Sequence, residues 1–244
     1  MKLKFLVLQH APWEGPGRFL RESAQRLKIE LTICKVWQQE MPDPLTFDAL
    51  LILGGGANVD QEAEYPFLVP EKAAIRRAVG ADLPCLGICL GHQLLAEALG
   101  ARVGVNFRSS VGFIDGHFTQ AGRQHPAFTG CRQPSPLFKW HSYTVLEPLP
   151  AHLEVLMTSE HCQVEALSVA GRPHLLGLQA DNHAAEPHDV ALWLEQDHQW
   201  LAGLRDQRVD PAAILATARS KAKSIGPDFH RLLNNYQRLI RPTT

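Results

Sequence analysis

The chain lacks any long hydrophobic run. Its longest apolar stretches, such as Phe5 to Leu8 and Ala49 to Leu53, fall far short of what crosses a bilayer. It also lacks an excess of charge of either sign. With 24 basic and 25 acidic residues the formal net charge is -1, which argues against nucleic acid or a membrane surface as the main partner. Cysteine is sparse: Cys34, Cys85, Cys89, Cys131 and Cys162 form an odd, scattered set of five. No small-residue cleavage site follows the apolar N-terminal segment, which reads as a first strand. Reduced thiols and a cytoplasmic location are therefore expected. The gap between Cys85 and Cys89 fits no common zinc pattern and no second pair follows, so no metal is expected, and nothing points to an organic cofactor. Internal repeats, low-complexity stretches and breaks in composition are absent too. One domain over residues 1–244 is the expectation, with a helical extension over about 187–244.

What is present is an alternation of two periodicities. Lys4 to His10, Glu30 to Trp37, Ala49 to Leu53 and Pro84 to Cys89 are short apolar or β-branched runs. Between and after them, Arg18 to Leu27, Pro70 to Val79 and Gly91 to Leu99 carry apolar residues at helical spacing. The N-terminal part thus reads β-α-β-β-α-β-α, the pattern of a parallel sheet covered on both faces. Sites in such sheets form at the carboxyl ends of strands. Two features stand at such ends, the triple glycine Gly54-Gly55-Gly56 and Cys89. Farther on, Val103 to Phe118, Leu153 to Thr158, Glu165 to Val169 and His174 to Gln179 read as strands, the last able to return to the main sheet. Asp210-Pro211 is a helix start. Phe229, Leu232, Leu233, Tyr236, Leu239 and Ile240 mark an amphipathic helix expected to pack on the domain.

The segment Leu86-Gly87-Ile88-Cys89-Leu90-Gly91-His92-Gln93 carries the chemistry. Glycines two before and two after a nucleophile-capable residue, between an apolar strand and an amphipathic helix, describe a tight elbow that projects the side chain into a cleft. The helix N-terminus beneath the sulfur is expected to favour thiolate. The Leu90 N–H stands well for an oxyanion hole, and the glycine loop could supply a second donor. Those glycines could equally cradle a phosphate or make a turn, although they lack the Gly-Lys-Ser/Thr of a P-loop.

Taken with Leu51 to Val59, Glu64 to Leu68, Val111-Gly112-Phe113, Phe138-Lys139-Trp140-His141 and Gly177-Leu178-Gln179, the cysteine segment resembles the class I glutamine amidotransferase family. The likeness is closer to stand-alone members similar to the glutaminase part of GMP synthetase. That resemblance implies a flavodoxin-like three-layer sandwich with a mostly parallel central sheet. It implies that Cys89 attacks the side-chain amide of glutamine, that a glutamyl thioester forms and ammonia leaves, and that water then hydrolyses the thioester. Gly55 and Leu90 would supply the oxyanion N–H groups, and Gly56 and Gln93 would line the substrate pocket. The substrate would be glutamine or a γ-glutamyl compound, and any ammonia acceptor would belong to a synthetase partner.

The resemblance breaks at one place. Where the family carries histidine and then glutamate after its Gly-x-Gln segment, this chain reads Gln179-Ala180-Asp181-Asn182-His183-Ala184-Ala185-Glu186. Asp181 stands at the histidine position and His183 at the glutamate position. An ordinary aspartate is an anion at neutral pH and would oppose thiolate formation. Three accounts follow. His183 could reach Cys89 after a local shift, oriented by Glu186 or Asp181. His141 could serve instead. Or the site could be degraded, leaving a binding or regulatory protein. Tyr143 also stands where the family has an acidic residue after its Trp-His pair, which leaves a γ-glutamyl peptidase or another amidase as a further enzyme reading.

Overall fold

A computed structural model describes residues 2–205 and 208–240. Among the described residues nine strands run in chain order as β1 (Lys4–Gln9), β2 (Glu30–Lys35), β3 (Ala49–Ile52), β4 (Cys85–Ile88), β5 (Arg102–Phe118), β6 (Ser135–Leu146), β7 (Leu153–Thr158), β8 (Ala166–Val169) and β9 (Arg172–Leu178). The α-helices are α1 (Gly17–Leu27), α2 (Leu68–Gly80), α3 (Leu90–Ala98), α4 (Gln120–Gln124), α5 (Pro187–Gln196), α6 (His198–Gly203) and α7 (Pro211–Gln237).

The strands form one mixed sheet in the order β2-β1-β3-β4-β9-β8-β7-β5-β6. Pairing is parallel from β2 through β9 and antiparallel from β9 through β6. The mostly parallel sheet expected from the sequence is therefore parallel in one half only. The reason is local: β8 and β9 are joined by the two-residue turn Ala170-Gly171, with Gly171 at φ 76°, and so short a connection makes neighbours antiparallel. Strand β9 does return to the main sheet, pairing with β4 from Cys85↔Leu175 to Ile88↔Leu178.

Alternation along the strands divides the core. Phe5, Val7, Leu51 and Leu86 face α1 and α7, where Leu20, Ala24, Phe229, Leu233 and Tyr236 are buried. Leu6, Leu8, Leu50 and Ile52 face α2 and α3, against Leu68, Ile75, Leu94 and Leu95. The apolar stripe at the C-terminus is thus packed on the domain, with the Tyr236 hydroxyl donating to the His174 carbonyl at 2.8 Å. Strand β6 was not anticipated, because Pro136 interrupts its pattern. As the last strand of the sheet it has an edge on which a missing N–H is tolerated. Among the described residues no helix is long and apolar enough to cross a membrane.

Candidate active site

Cys89 sits between β4 and α3 with φ 51° and ψ -110°, a conformation that costs a non-glycine residue on the order of 1–3 kcal/mol. The strain therefore lies in the cysteine itself. Its glycines serve close approach: a β-carbon on Gly91 would lie 2.1 Å from the Ile52 carbonyl oxygen, and one on Gly87 would lie 2.3 Å from that of Gly91. No larger residue fits either position without moving backbone. The elbow is anchored by the Cys89 N–H donating to Leu178 at 2.9 Å and the Gly91 N–H donating to Leu53 at 3.1 Å.

The sulfur opens on a cleft of about 280 Å³ lined in part by Gly55, Gly56, Leu90, Gln93, Trp140 and His141. All four residues expected to form the oxyanion hole and substrate pocket, Gly55, Leu90, Gly56 and Gln93, thus meet at Cys89. The Gln93 side-chain amide donates to the Tyr143 carbonyl at 2.9 Å and to Gln179 Oε1 at 3.2 Å. Both donors are spent on protein, so Gln93 offers a ligand its Oε1 acceptor.

Beneath the glycine loop lies a pair that sequence reasoning missed. His10 Nδ1 is 2.8 Å from the Gly54 carbonyl oxygen, and His10 Nε2 is 2.8 Å from Glu71 Oε1. Both ring nitrogens face acceptors, an arrangement that only imidazolium satisfies fully. Burial alone would lower the His10 pKa, but the Glu71 carboxylate and the Gly54 carbonyl outweigh it and raise the value above 6.5. By holding the Gly54 carbonyl, His10 fixes the plane of the Gly54–Gly55 peptide and so the direction of the Gly55 N–H. The available signal was position: His10 directly follows β1, at a strand's carboxyl end.

The base is where the structure departs from expectation. His183 and Glu186 do not join Cys89. His183 is buried with its ring centroid 6.3 Å from that of Trp193 and 6.5 Å from that of Phe229, and burial pushes its pKa down to about 3. Glu186 caps α5, accepting from the His188 N–H at 2.9 Å, and pairs with Arg18 at 3.2 Å. The physical reason is a 3-10 turn over Asn182–Ala184. Ahead of it, the Asp181 N–H donates to the Phe138 carbonyl and Asn182 Oδ1 accepts from the Phe138 N–H, each at 2.8 Å. Those bonds hold Asp181 toward the elbow, and the turn carries residue 183 away. His141 lines the cleft, but its Nδ1 is 2.7 Å from the Tyr143 carbonyl and burial holds its pKa well below 6.5. Among the described residues no imidazole is hydrogen-bonded to Cys89, whose thiol is 3.9 Å from the Trp140 carbonyl oxygen.

Asp181 takes the place beside the sulfur. A β-carbon on Gly54 would lie 3.1 Å from Asp181 Oδ1 and 3.9 Å from Cys89 Sγ. Asp181 is fully buried and neither carboxyl oxygen meets a hydrogen-bond partner of good geometry. Burial pushes its pKa up to about 8, against the pull of Lys139. Lys139 is itself paired with Glu165, both side chains fully buried, and Glu165 accepts from the Ser159 hydroxyl at 2.6 Å. The expectation of an anionic aspartate is therefore corrected: at neutral pH Asp181 is mostly protonated. So is Cys89. Burial, then Asp181 and Glu14, hold its pKa well above 9, outweighing Lys139. The thiolate expected from the helix N-terminus is therefore disfavoured.

This makes Asp181 a source of pH dependence. The folded state keeps a proton that the unfolded chain releases above about pH 3.8, so stability falls as pH rises from there to about 8. Urea unfolding of Asp181→Asn, compared with wild type at pH 5 and pH 7, is expected to show the variant gaining about 2.5 kcal/mol relative to wild type over that interval. An unchanged difference between the two pH values would place the titration elsewhere.

The model of the family described as glutamine amidotransferase class-I matches residues 18–180. The chain belongs to the class I glutamine amidotransferase family. The match ends one residue before Asp181. Among curated relatives, the chain is similar to the glutamine amidotransferase-like protein YfeJ of Salmonella typhimurium, 30% identical over 66% of this chain and 68% of that protein. It is also similar to a component of the glutamine-hydrolysing GMP synthase of Methanothermobacter thermautotrophicus, 30% identical over 57% of this chain and 69% of that component. A crystal structure of a glutamine amidotransferase from Thermotoga maritima shares the fold, with a TM-score of 0.85, 23% identity and 99% of each chain covered.

Proposed function

We propose that this amidotransferase-family protein holds a glutamine-type amide against Cys89 without turning it over efficiently at neutral pH. One observation carries the reading: a buried aspartate, its pKa pushed up to about 8, occupies the place beside the sulfur where a base is needed. Hydrolysis of an amide through a thioester needs a group that takes the thiol proton and returns it to the leaving amine. A neutral carboxyl cannot accept that proton, and once ionised it repels the thiolate it would create. The recognition elements are kept nonetheless. The strained elbow, the His10-held glycine loop and the Gln93 acceptor all face one cleft, and Gly55 and Leu90 are the oxyanion donors of this reading. The role is ligand binding, of a regulatory kind or in support of a synthetase partner.

The test joins two measurements at pH 7. Calorimetric titration with L-glutamine is expected to show binding. Ammonia release from L-glutamine is expected to match that of Cys89→Ala, and iodoacetamide should modify Cys89 slowly, with a rate that keeps rising past pH 9. Cys89-dependent ammonia release well above that background would overturn the reading. Release from γ-glutamyl peptides alone would assign the cleft to a γ-glutamyl peptidase.

A further inference from the structure

Along the cleft lined by Trp140 and Trp200 stand two carboxyl groups, one of which, Glu14, also bears on the Cys89 thiol. Glu14 lies in the loop between β1 and α1, and Asp197 lies at the junction of α5 and α6. Both line the same cleft as Cys89. Glu14 is 6% exposed. Its Oε2 is buried and has no partner. Asp197 is held by two indoles, accepting from Trp13 Nε1 at 3.1 Å and from Trp140 Nε1 at 2.8 Å. Indole N–H groups orient a carboxylate without cancelling its charge. Among the described residues neither carboxyl is ion-paired with a lysine, arginine or histidine. The indole of Trp200 lies 5.9 Å from that of Trp140, centroid to centroid, and both rings line the cleft.

We infer that Glu14 and Asp197, walled by Trp140 and Trp200, form a subsite for the primary ammonium group of the ligand that the cleft receives. Two carboxyls supply acceptor oxygens, one of them unpartnered, and a cation beside them favours their ionised forms. A metal ion suits this end poorly: among the described residues no group of three or more His, Cys, Asp or Glu side chains could hold one. Burial and the neighbouring Asp197 charge hold the Glu14 pKa well above its usual range, and a cation seated between the two groups relieves that repulsion. A cleft of about 280 Å³ accommodates a ligand of amino-acid size, with its amide at Cys89 and its ammonium at Glu14. The inference deepens the proposed function and rests on it only in placing both groups on one ligand.

The probe is n-butylammonium chloride, which carries the ammonium without an amide, titrated calorimetrically into the full chain beside L-glutamine. We expect saturable 1:1 binding that 1-butanol does not reproduce. Glu14→Gln keeps the shape and an acceptor oxygen, and is expected to weaken that binding at least 10-fold. Asp197→Asn, which retains one acceptor for the indoles, is expected to do the same. Glu14→Gln decides the matter if Asp197→Asn melts early. Absence of n-butylammonium binding, or an affinity that Glu14→Gln leaves unchanged, overturns the subsite whether or not glutamine binds. Binding of n-butylammonium without any binding of glutamine sustains the subsite and overturns the proposed function.

Discussion

Asp181→Asn and Asp181→His should part company: the histidine variant is expected to release ammonia from L-glutamine about 10²-fold faster than wild type at pH 7, and the asparagine variant no faster. The position is already in place. Asp181 and Cys89 both crowd the space that a β-carbon on Gly54 would take, and the backbone at 181 is fixed by its bond to Phe138. An imidazole there can take the thiol proton and return it to the departing ammonia, a service worth about 10²–10⁴ in rate. It also removes the carboxyl that, after burial, does most to hold the thiol protonated. The gain should stay at the low end of that range, because His183 stands where the family has the glutamate that orients the ring. Adding Cys89→Ala should abolish it. The measurement is coupled-assay ammonia release at saturating glutamine. If Asp181→His gains nothing while still binding glutamine, the amide is not presented to Cys89 and the proposed arrangement of the cleft is wrong.

His10→Ala is expected to lower the unfolding free energy by about 3–5 kcal/mol, since it leaves the fully buried Glu71 carboxyl without its cation. At this chain length that corresponds to a fall in Tm of about 10 °C. The effect has a pH signature. A histidine whose folded pKa lies above its unfolded value of 6.5 contributes fully below pH 6.5. The contribution is lost as pH rises through the folded value. The difference between wild type and His10→Ala should therefore shrink on the alkaline side. A second readout separates a loop-positioning role from stability alone. In the Asp181→His background, adding His10→Ala at a temperature where the protein is folded should lower kcat more than it raises KM. In the proposed arrangement, the Gly55 N–H it orients would act on the oxyanion of the transition state. Equal effects on thermal stability at pH 6 and pH 9 would show that His10 is neutral in the folded protein.

Much of this molecule was open to sequence reasoning because the signals were local. Glycines on either side of Cys89 report a turn, and close approach is a matter of a few neighbouring atoms: Ile52 and Gly91 leave no room for a β-carbon. The short apolar runs of β1, β3 and β4 report strands buried on both faces. Family membership and the placement of Gly55, Gly56, Leu90 and Gln93 in one cleft followed from the same segments. The displacement of histidine by Asp181 was also legible, as a mismatch at one position.

What only the tertiary structure decided was the state of that position and its company. A carboxyl's charge depends on burial and on partners distant in sequence. Lys139 from β6 and Glu165 before β8 satisfy each other, leaving Asp181 to be protonated. Whether His183 could substitute depended on a single 3-10 turn, which no spacing rule specifies. His10 and Glu71 are 61 residues apart, and Glu14 and Asp197 come from opposite ends of the chain. Sequence determined where chemistry would be staged, because the elbow is built from adjacent residues. Folding decided whether a base attends it, because proton affinity in a buried site is set by every charge the sheet and helices bring within reach.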